Sequence, residues 1–559
     1  MRDDITALAD ELVALRFEQE PLTPAMMGID DGPPGLGDCS REAEREYVRR
    51  YRAIAAGADE LRVRLGAQGV RLEEREVLTL DVVGESATSA ADETELGLVD
   101  ITVSDFFNSP LAGLVSTLPQ LPLDNAVRTA SYLGRLEDLP RVLGQISQRH
   151  REGIASGRAP TRRGVTNAVT FIDAVISDPD LSGLRRTFED ADLAIVQDRI
   201  LHDLVVPALV SYRDVLRDAL LDQGRDDENS GLDSLPGGAG IYASLVRVWT
   251  STRRTPKDLH DTGLSLIEEL HTDFRTIAGR LWGIDDLASI FDRIRNDSTL
   301  RYTTDVEILE AARATVRRAE RVAPDWFDEL PSTSCRVQAV PPALSEGSAA
   351  AYYQTGTLDG SRPGTYFVNT SHPEKRLRHM SEAVAFHEAV PGHHFQLTIA
   401  QEIADNHLVH SVFVDGANAE GWGLYSERLA QEMGLYSDDV ALLGMLTSDA
   451  FRAARLVVDT GLHALGWSRQ RAIDWMSENV PISPLEVVAE VDRYISMPAQ
   501  ALSYMVGRME IQECRRMATV ALEGRFDVRT FHNLVLSTGP VPLPALRAAV
   551  QRWIASYTS

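Results

Sequence analysis

Apolar residues recur at three- and four-residue spacing through most of this chain, and that period restricts it to packed amphipathic helices. The spacing predicts helices over 41–67, 139–157, 191–222, 256–281 and 305–322. One stretch departs from it. Residues 335–340 and 365–369 are short β-prone runs, separated by Pro341-Pro342 and Asp359-Gly360-Ser361-Arg362-Pro363-Gly364. They read as two or three strands of a small sheet. Helical patterning then resumes to the end. Ser437 is a candidate cap for a long helix stopping near Gly466, and Ser483-Pro484-Leu485-Glu486 is a capping box with proline at the first helical position. Pro498 precedes a further helix running to about Val520. The predicted class is mostly α, with a minor β element just ahead of a histidine-rich segment.

Bulk properties narrow the function. With 44% hydrophobic residues over 559 positions, there is material for a large core. The predicted organisation is a mainly helical region over 1–330 and a chemistry-bearing region over 331–559, forming one continuous unit. No 20-residue apolar run predicts a membrane span. Met1-Arg2-Asp3-Asp4 lacks the apolar stretch of a secretory signal, and three scattered cysteines build neither a disulfide framework nor a thiolate zinc site. These features predict a cytoplasmic protein. The 56 basic and 83 acidic residues give a formal charge of −27, which argues against nucleic acid or anionic membrane as a partner.

The informative segment is His387-Glu388-Ala389-Val390-Pro391-Gly392-His393-His394-Phe395-Gln396. Three of the chain's 13 histidines fall here beside a glutamate. A zinc hydrolase needs two neutral imidazoles on one side of the ion and a carboxylate near the attacking water, which His-Glu-x-x-His supplies from one helix. Here Pro391 occupies the position of the second histidine. In an unbroken helix His394 would lie about 10.5 Å along the axis from His387, and His393 would point about 120° away. Neither suits bonds of about 2.0–2.1 Å to one ion. Pro391 has no N–H for the carbonyl of His387, and Gly392 tolerates unusual dihedrals, so the turn is predicted to open. A bulge absorbing two residues brings in His393; one absorbing three brings in His394. Gly392, directly before His393, favours the first, and both stand as candidate ligands.

A third ligand must come from elsewhere, leaving a fourth position open. Ala417-Asn418-Ala419-Glu420-Gly421-Trp422-Gly423-Leu424-Tyr425-Ser426-Glu427 offers Glu420, with Glu427 two turns later as its competitor. Gly421 and Gly423 permit close approach, and Trp422 and Tyr425 are candidate walls. Arg452, Arg455, Asp459 and His463 form one polar stripe, either a solvated face or a cleft wall from which Arg455 or His463 reaches a developing oxyanion. Tyr504 is a candidate phenolic donor, and the strand at 365–369 a candidate for pairing with an extended peptide.

With these residues, the chain resembles a bacterial family of unknown function marked by His-Glu-x-x-Pro-Gly-His-His and grouped with the thermolysin-like glutamate-zinc peptidases. The resemblance runs from Gly28-Ile29-Asp30 through Tyr352-Tyr353, the 359–364 segment, Val368-Asn369, Glu420-Gly421-Trp422, and Arg455 to His463, to Pro498–Tyr504. More distantly it is similar to the all-helical oligopeptidases and metallocarboxypeptidases. That similarity implies two helical lobes flanking a deep cleft and one zinc ion. It also implies His387 and a histidine at 393–394 as ligands, Glu420 as third ligand, Glu388 as general base, and His463 and Tyr504 as transition-state donors. The expectation is a zinc-dependent hydrolase, a metallopeptidase cleaving short peptides. The alternative is a zinc-dependent hydrolase or lyase acting on a small non-peptide metabolite; a non-catalytic helical binding protein is the third reading.

Overall fold

The computed structural model describes all residues except 30–34, 343–344, 346–348, 358–361, 404–405 and 559. Asp30 and Asp359-Gly360-Ser361 therefore lie outside the described residues. The chain is mostly helical, as its periodicity requires. Arg41–Ala67, Pro256–Trp282 (α1) and Asp305–Val322 match their predicted spans within a residue at each end. Two expectations shift. The helix predicted at 139–157 starts earlier, at Ala126, where Asn125 caps it by accepting from the N–H of Arg128. The cap of the long helix Asp439–Ala464 (α5) is Asp438, not Ser437; its carboxylate accepts from the N–H of Ala441. The Ser483 capping box opens Pro484–Ser496 (α6), and Ser503–Leu522 (α7) follows Pro498 after one 3₁₀ turn.

The β element is a three-stranded sheet of Arg336–Ala339 (β1), Ala351–Gln354 (β2) and Thr365–Val368 (β3), in the order β1-β3-β2. β3 pairs in parallel with β1 and antiparallel with β2. This corrects the expected peptide pairing at 365–369: β3 is the central strand, its hydrogen-bonding edges are both taken, and no extended substrate can add there.

Buried apolar residues form separate cores, two of which meet at the candidate site. One gathers the first helices, 302–327, the sheet and the C-terminal helices; the other gathers 232–294 with 417–506. Each draws on both sides of residue 330. Ser381–Glu388 (α2) and Gly416–Glu432 (α4) straddle the boundary: Phe386 and Trp422 belong to the first core, Ala383 and Leu424 to the second. Elements packed into two cores at once have little freedom to move, which is what a positioned site requires.

α4 packs along α7, and α1 along α5. The first crossing is set by two glycines. A Cβ on Gly421 would lie 2.4 Å from the carbonyl carbon of Gly507, and one on Gly507 would lie 1.7 Å from the carbonyl oxygen of Ala417. Gly507→Ala should therefore force the helices apart at a cost of about 1–3 kcal/mol or more. Gly279→Ala in α1, where a new Cβ meets nothing within 4 Å, should be neutral or stabilising by about 0.5–1 kcal/mol. Thermal unfolding of the two variants beside the parent chain checks the contrast; equal melting temperatures would contradict the close crossing.

Candidate metal centre

The histidine segment does not bulge; it splits. α2 ends at Glu388, a four-residue turn follows with a cis Val390-Pro391 bond, and a second helix, His393–Glu402 (α3), begins directly after Gly392. The turn folds back on α2 so tightly that a Cβ on Gly392 would lie 1.8 Å from the carbonyl oxygen of His387. Glycine is the one residue that fits. Trp422 of α4 secures the turn, its indole N–H donating to the carbonyls of Pro391 at 2.9 Å and Gly392 at 3.2 Å, with the Ser426 hydroxyl reaching Pro391 at 3.3 Å. Trp422 is thus not a cleft wall but a buried clamp between α4 and the turn. Tyr425 is no wall either: it is buried, its hydroxyl 2.8 Å from His532 Nε2.

Helix α4 presents Glu420 and Glu427 on one face, seven residues and about 10.5 Å of axial rise apart. Gly423 lies between them, and there the His387 ring sits. A Cβ on Gly423 would lie 2.7 Å from both Cε1 and Nε2 of that ring. His387 Nδ1 is 2.9 Å from Glu427 Oε1, and Nε2 is 3.3 Å from Glu420 Oε2. His393, at the first turn of α3, brings Nε2 to 3.6 Å from the same Glu420 oxygen. The two imidazole rings stand edge to face, centroids 4.7 Å apart.

His387, His393 and Glu420 each offer one ligand atom, all within 4.8 Å of one another. A tetrahedral ion with bonds of about 2.05 Å holds its donors about 3.3 Å apart. The two distances to Glu420 Oε2 meet that requirement within a few tenths of an ångström, so the residues fit a single zinc-sized cation. The surrounding charge favours one as well. Burial by itself would lower the pKa of His387, yet its bonds to Glu420 and Glu427 and the charge of Glu388 raise it to about 10. Burial would likewise raise Glu420, but hydrogen bonds to His387 and His393 carry it well below the usual carboxylate range. Glu427 is fully buried, with one carboxylate oxygen on His387 and the other without a hydrogen-bond partner among the described residues. A carboxylate behind a ligand imidazole fixes which nitrogen carries the proton and leaves the other free to bind. The sequence reading named Glu427 as a rival to Glu420; the structure gives it this supporting position instead.

Glu388 ends α2 part-exposed and outside the three-ligand group. Its charge reaches the buried phenol of Tyr366 on β3, whose pKa burial and Glu388 together push well up. Tyr504 is half-buried on α7 near Glu420; burial, then the Glu420 charge, raise its pKa. Two candidates are not brought to the site. His394, one position along α3, points the other way: Nε2 is 2.9 Å from the Thr333 carbonyl and Nδ1 3.0 Å from the Tyr353 hydroxyl. Burial lowers its pKa to about 4. His463 is corrected too. It is fully buried, Nδ1 accepting from the N–H of Leu232 at 3.1 Å and Nε2 lying 3.0 Å from the Tyr494 carbonyl, with both nitrogens used internally. Its neighbour Asp459 is equally committed, to the Tyr242 hydroxyl at 2.5 Å and the Ala499 N–H at 3.0 Å. Half the polar stripe is therefore core. Arg455 is buried against Tyr504, its guanidinium carbon 4.5 Å from the ring centroid. A cavity of about 1450 Å³, lined by Glu93, Trp249, Arg254, Asp415 and Glu510 among others, does not include the ligand group. Chemistry, rather than volume, marks this site.

The family described as "Bacterial protein of unknown function (DUF885)" matches residues 21–550. The chain belongs to that family. Among solved structures, "the putative lipoprotein from Colwellia psychrerythraea" is similar over 99% of both chains, with a TM-score of 0.84 and 24% identity. A second, described as a "putative lipoprotein of unknown function" from Shewanella oneidensis, is similar over 97% of this chain and 99% of its own, with a TM-score of 0.78 and 19% identity. At such identities these likenesses show the fold alone. No curated protein matches the chain.

The geometry separates ligands from supports. His393→Ala and Glu420→Ala should abolish tight zinc binding. Glu427→Gln should weaken it about 10- to 100-fold, the usual effect of losing an outer-shell partner. His394→Ala should leave it unchanged while lowering the melting temperature. Competition titrations with a chromogenic zinc chelator measure all four, and a His394 variant that loses zinc would reverse the assignment.

Proposed function

We propose that this chain is a zinc-dependent hydrolase acting on short peptides. The observation that carries the reading is the His387 imidazole, braced behind by Glu427 and facing Glu420 and His393 in front. Two histidines and one carboxylate form the donor set of catalytic rather than structural zinc, which keeps its fourth position for water. This also weighs against a purely structural metal in a binding protein. A zinc ion held there would supply Lewis acidity, acidifying water and polarising a carbonyl near neutral pH.

The chain's own residues supply the rest. Glu388, next in sequence to His387 but outside the ligand group, accepts the proton of the attacking water and returns it to the leaving amine. Tyr504 donates its phenolic hydrogen toward the carbonyl oxygen as charge develops there. Arg455, stacked on the Tyr504 ring, holds that ring in position. Glu427 keeps the His387 proton on Nδ1. The similarity to glutamate-zinc peptidases noted from sequence supports the same roles.

One observation favours a second reading. The ligand histidines sit on two helices joined by a tight turn, not on one helix, so the floor of the site differs from that of a continuous His-Glu-x-x-His helix. A small non-peptide amide or ester, or a lyase substrate, is the alternative. A cytoplasmic location remains part of this proposal, supported by the three free thiols Cys39, Cys335 and Cys514.

The test is a panel of short peptides, amides, esters and lyase substrates offered to the zinc-loaded chain and to Glu388→Gln. The variant should keep its zinc and lose turnover by about 10²–10⁴-fold. Peptide hydrolysis that survives in Glu388→Gln would refute the mechanism, and turnover confined to non-peptide substrates would favour the alternative.

A further inference from the structure

Beside the metal centre lies a group of arginines with too few carboxylates. Helix α5 carries Arg452 and Arg455 one turn apart, and α6 carries Glu490 and Arg493. Glu490 serves two of the three cations: it is 3.2 Å from Arg455 and 2.9 Å from Arg493. Arg493 also donates to Gln500 Oε1 at 2.5 Å. Arg452 has no ion pair among the described residues. Its one hydrogen bond there goes to the Ser448 hydroxyl at 2.9 Å. The Nε of Arg452 and one terminal nitrogen of Arg455 are buried with no acceptor.

This group adjoins the ligands through one ring. The Tyr504 centroid is 4.5 Å from the Arg455 guanidinium carbon and 5.8 Å from that of Arg452, and Phe451 stacks on both arginines, at 4.3 and 5.2 Å. The Tyr504 phenol feels the charges of Glu420, Arg455, Arg493 and Arg452. Phe451, Arg452 and Tyr504 are each part-exposed, as are Glu420 and His393, so a ligand can touch both groups.

Buried donors without acceptors are costly, and unpaired guanidinium N–H groups more so than neutral ones. A chain with a formal charge of −27 has carboxylates to spare for neutralising Arg452, yet none of the described residues pairs with it. We propose that Arg452, with the free nitrogen of Arg455, forms a subsite for a free carboxylate of the substrate. The substrates are then peptides or N-acyl amino acids whose terminal carboxylate lies close to the bond attacked. A guanidinium fork matches a carboxylate in two parallel hydrogen bonds, and the flanking Phe451 and Tyr504 rings keep water from competing. The bond cleaved rests on the hydrolase reading above; the binding of a carboxylate does not.

The experiment is therefore a binding measurement that needs no turnover. Full-length protein, stripped with chelator, is titrated calorimetrically with N-acetylphenylalanine and with N-acetylphenylalaninamide, which differ only in the carboxylate. The parent chain should favour the acid by about tenfold or more. Arg452→Gln should bring the ratio to about one, and Arg452→Lys should keep part of the preference. Zinc uptake by both variants, equal to that of the parent, verifies that the site is intact. If Arg452→Gln fails to fold, Arg452→Lys and the parent still decide the matter. Equal affinity for acid and amide in the parent, a preference untouched in the variants, or inorganic phosphate displacing the acid at equal concentration would each overturn the proposal. A parent that favours the acid but takes up no zinc would retain the subsite and dismiss the hydrolase; one that hydrolyses peptides without favouring the acid would do the reverse.

Discussion

The candidate centre depends on one seating: the imidazole of His387 on the bare backbone of Gly423, with Glu420 at one nitrogen and Glu427 at the other. An imidazole has two nitrogens on opposite sides of a small ring, and a helix face offers two carboxylates two turns apart. The ring fits that gap only where the residue between them has no side chain. Once it is seated, Glu427 accepts from Nδ1 and Nε2 faces Glu420, the side on which a cation would take the place of the shared proton. A buried carboxylate with one oxygen unpaired among the described residues, as in Glu427, is tolerable only beside a group that carries or shares positive charge.

The other contacts hold that arrangement in register. α2 and α4 each span two hydrophobic cores, so neither can rotate without opening one of them. The glycine crossing of α4 on α7 sets how near Tyr504 comes to Glu420. Trp422 bonds to the turn between α2 and α3 and so ties the origin of His393 to the helix that carries Glu420. Thus the second histidine is delivered not by helical periodicity but by a reversal of the chain, and its neighbour His394 is turned into a separate hydrogen-bond group with Tyr353 and Thr333.

Charge is distributed against the overall trend. The chain is strongly acidic, and most of its ion pairs are surface arginines with neighbouring carboxylates, which add little to stability. Around Tyr504 the balance reverses: Glu490 serves two guanidiniums, Arg455 and Arg493, and Arg452 has no ion pair among the described residues. The candidate cation site and the proposed carboxylate subsite therefore flank a single aromatic ring, an arrangement suited to a ligand with a polarised carbonyl at one end and a carboxylate at the other.

Much of this was legible in the sequence. Periodicity identified the helices, Pro391-Gly392 identified the break, and the grouping of His387 and Glu420 with a histidine at 393 or 394 followed from the residue types a metal needs. The pattern Glu420-x-x-Gly423-x-x-x-Glu427 also carried the seat of His387, since i, i+3 and i+7 share a helix face; weighing the two glutamates as rivals concealed it. Other facts could not be read there. Whether His393 or His394 joins the centre depends on how far the chain turns before α3 begins, and Trp422 on a distant helix takes part in setting that. His463 and Asp459 look like a polar stripe in one dimension, and only the packing of 232–250 and 494–499 against α5 makes them core. The sequence determined which residues are able to bind a metal and which faces must be buried. Tertiary structure decided which of them meet, because a hydrogen bond or a ligand bond depends on distance in space, and separation along the chain limits that distance without fixing it.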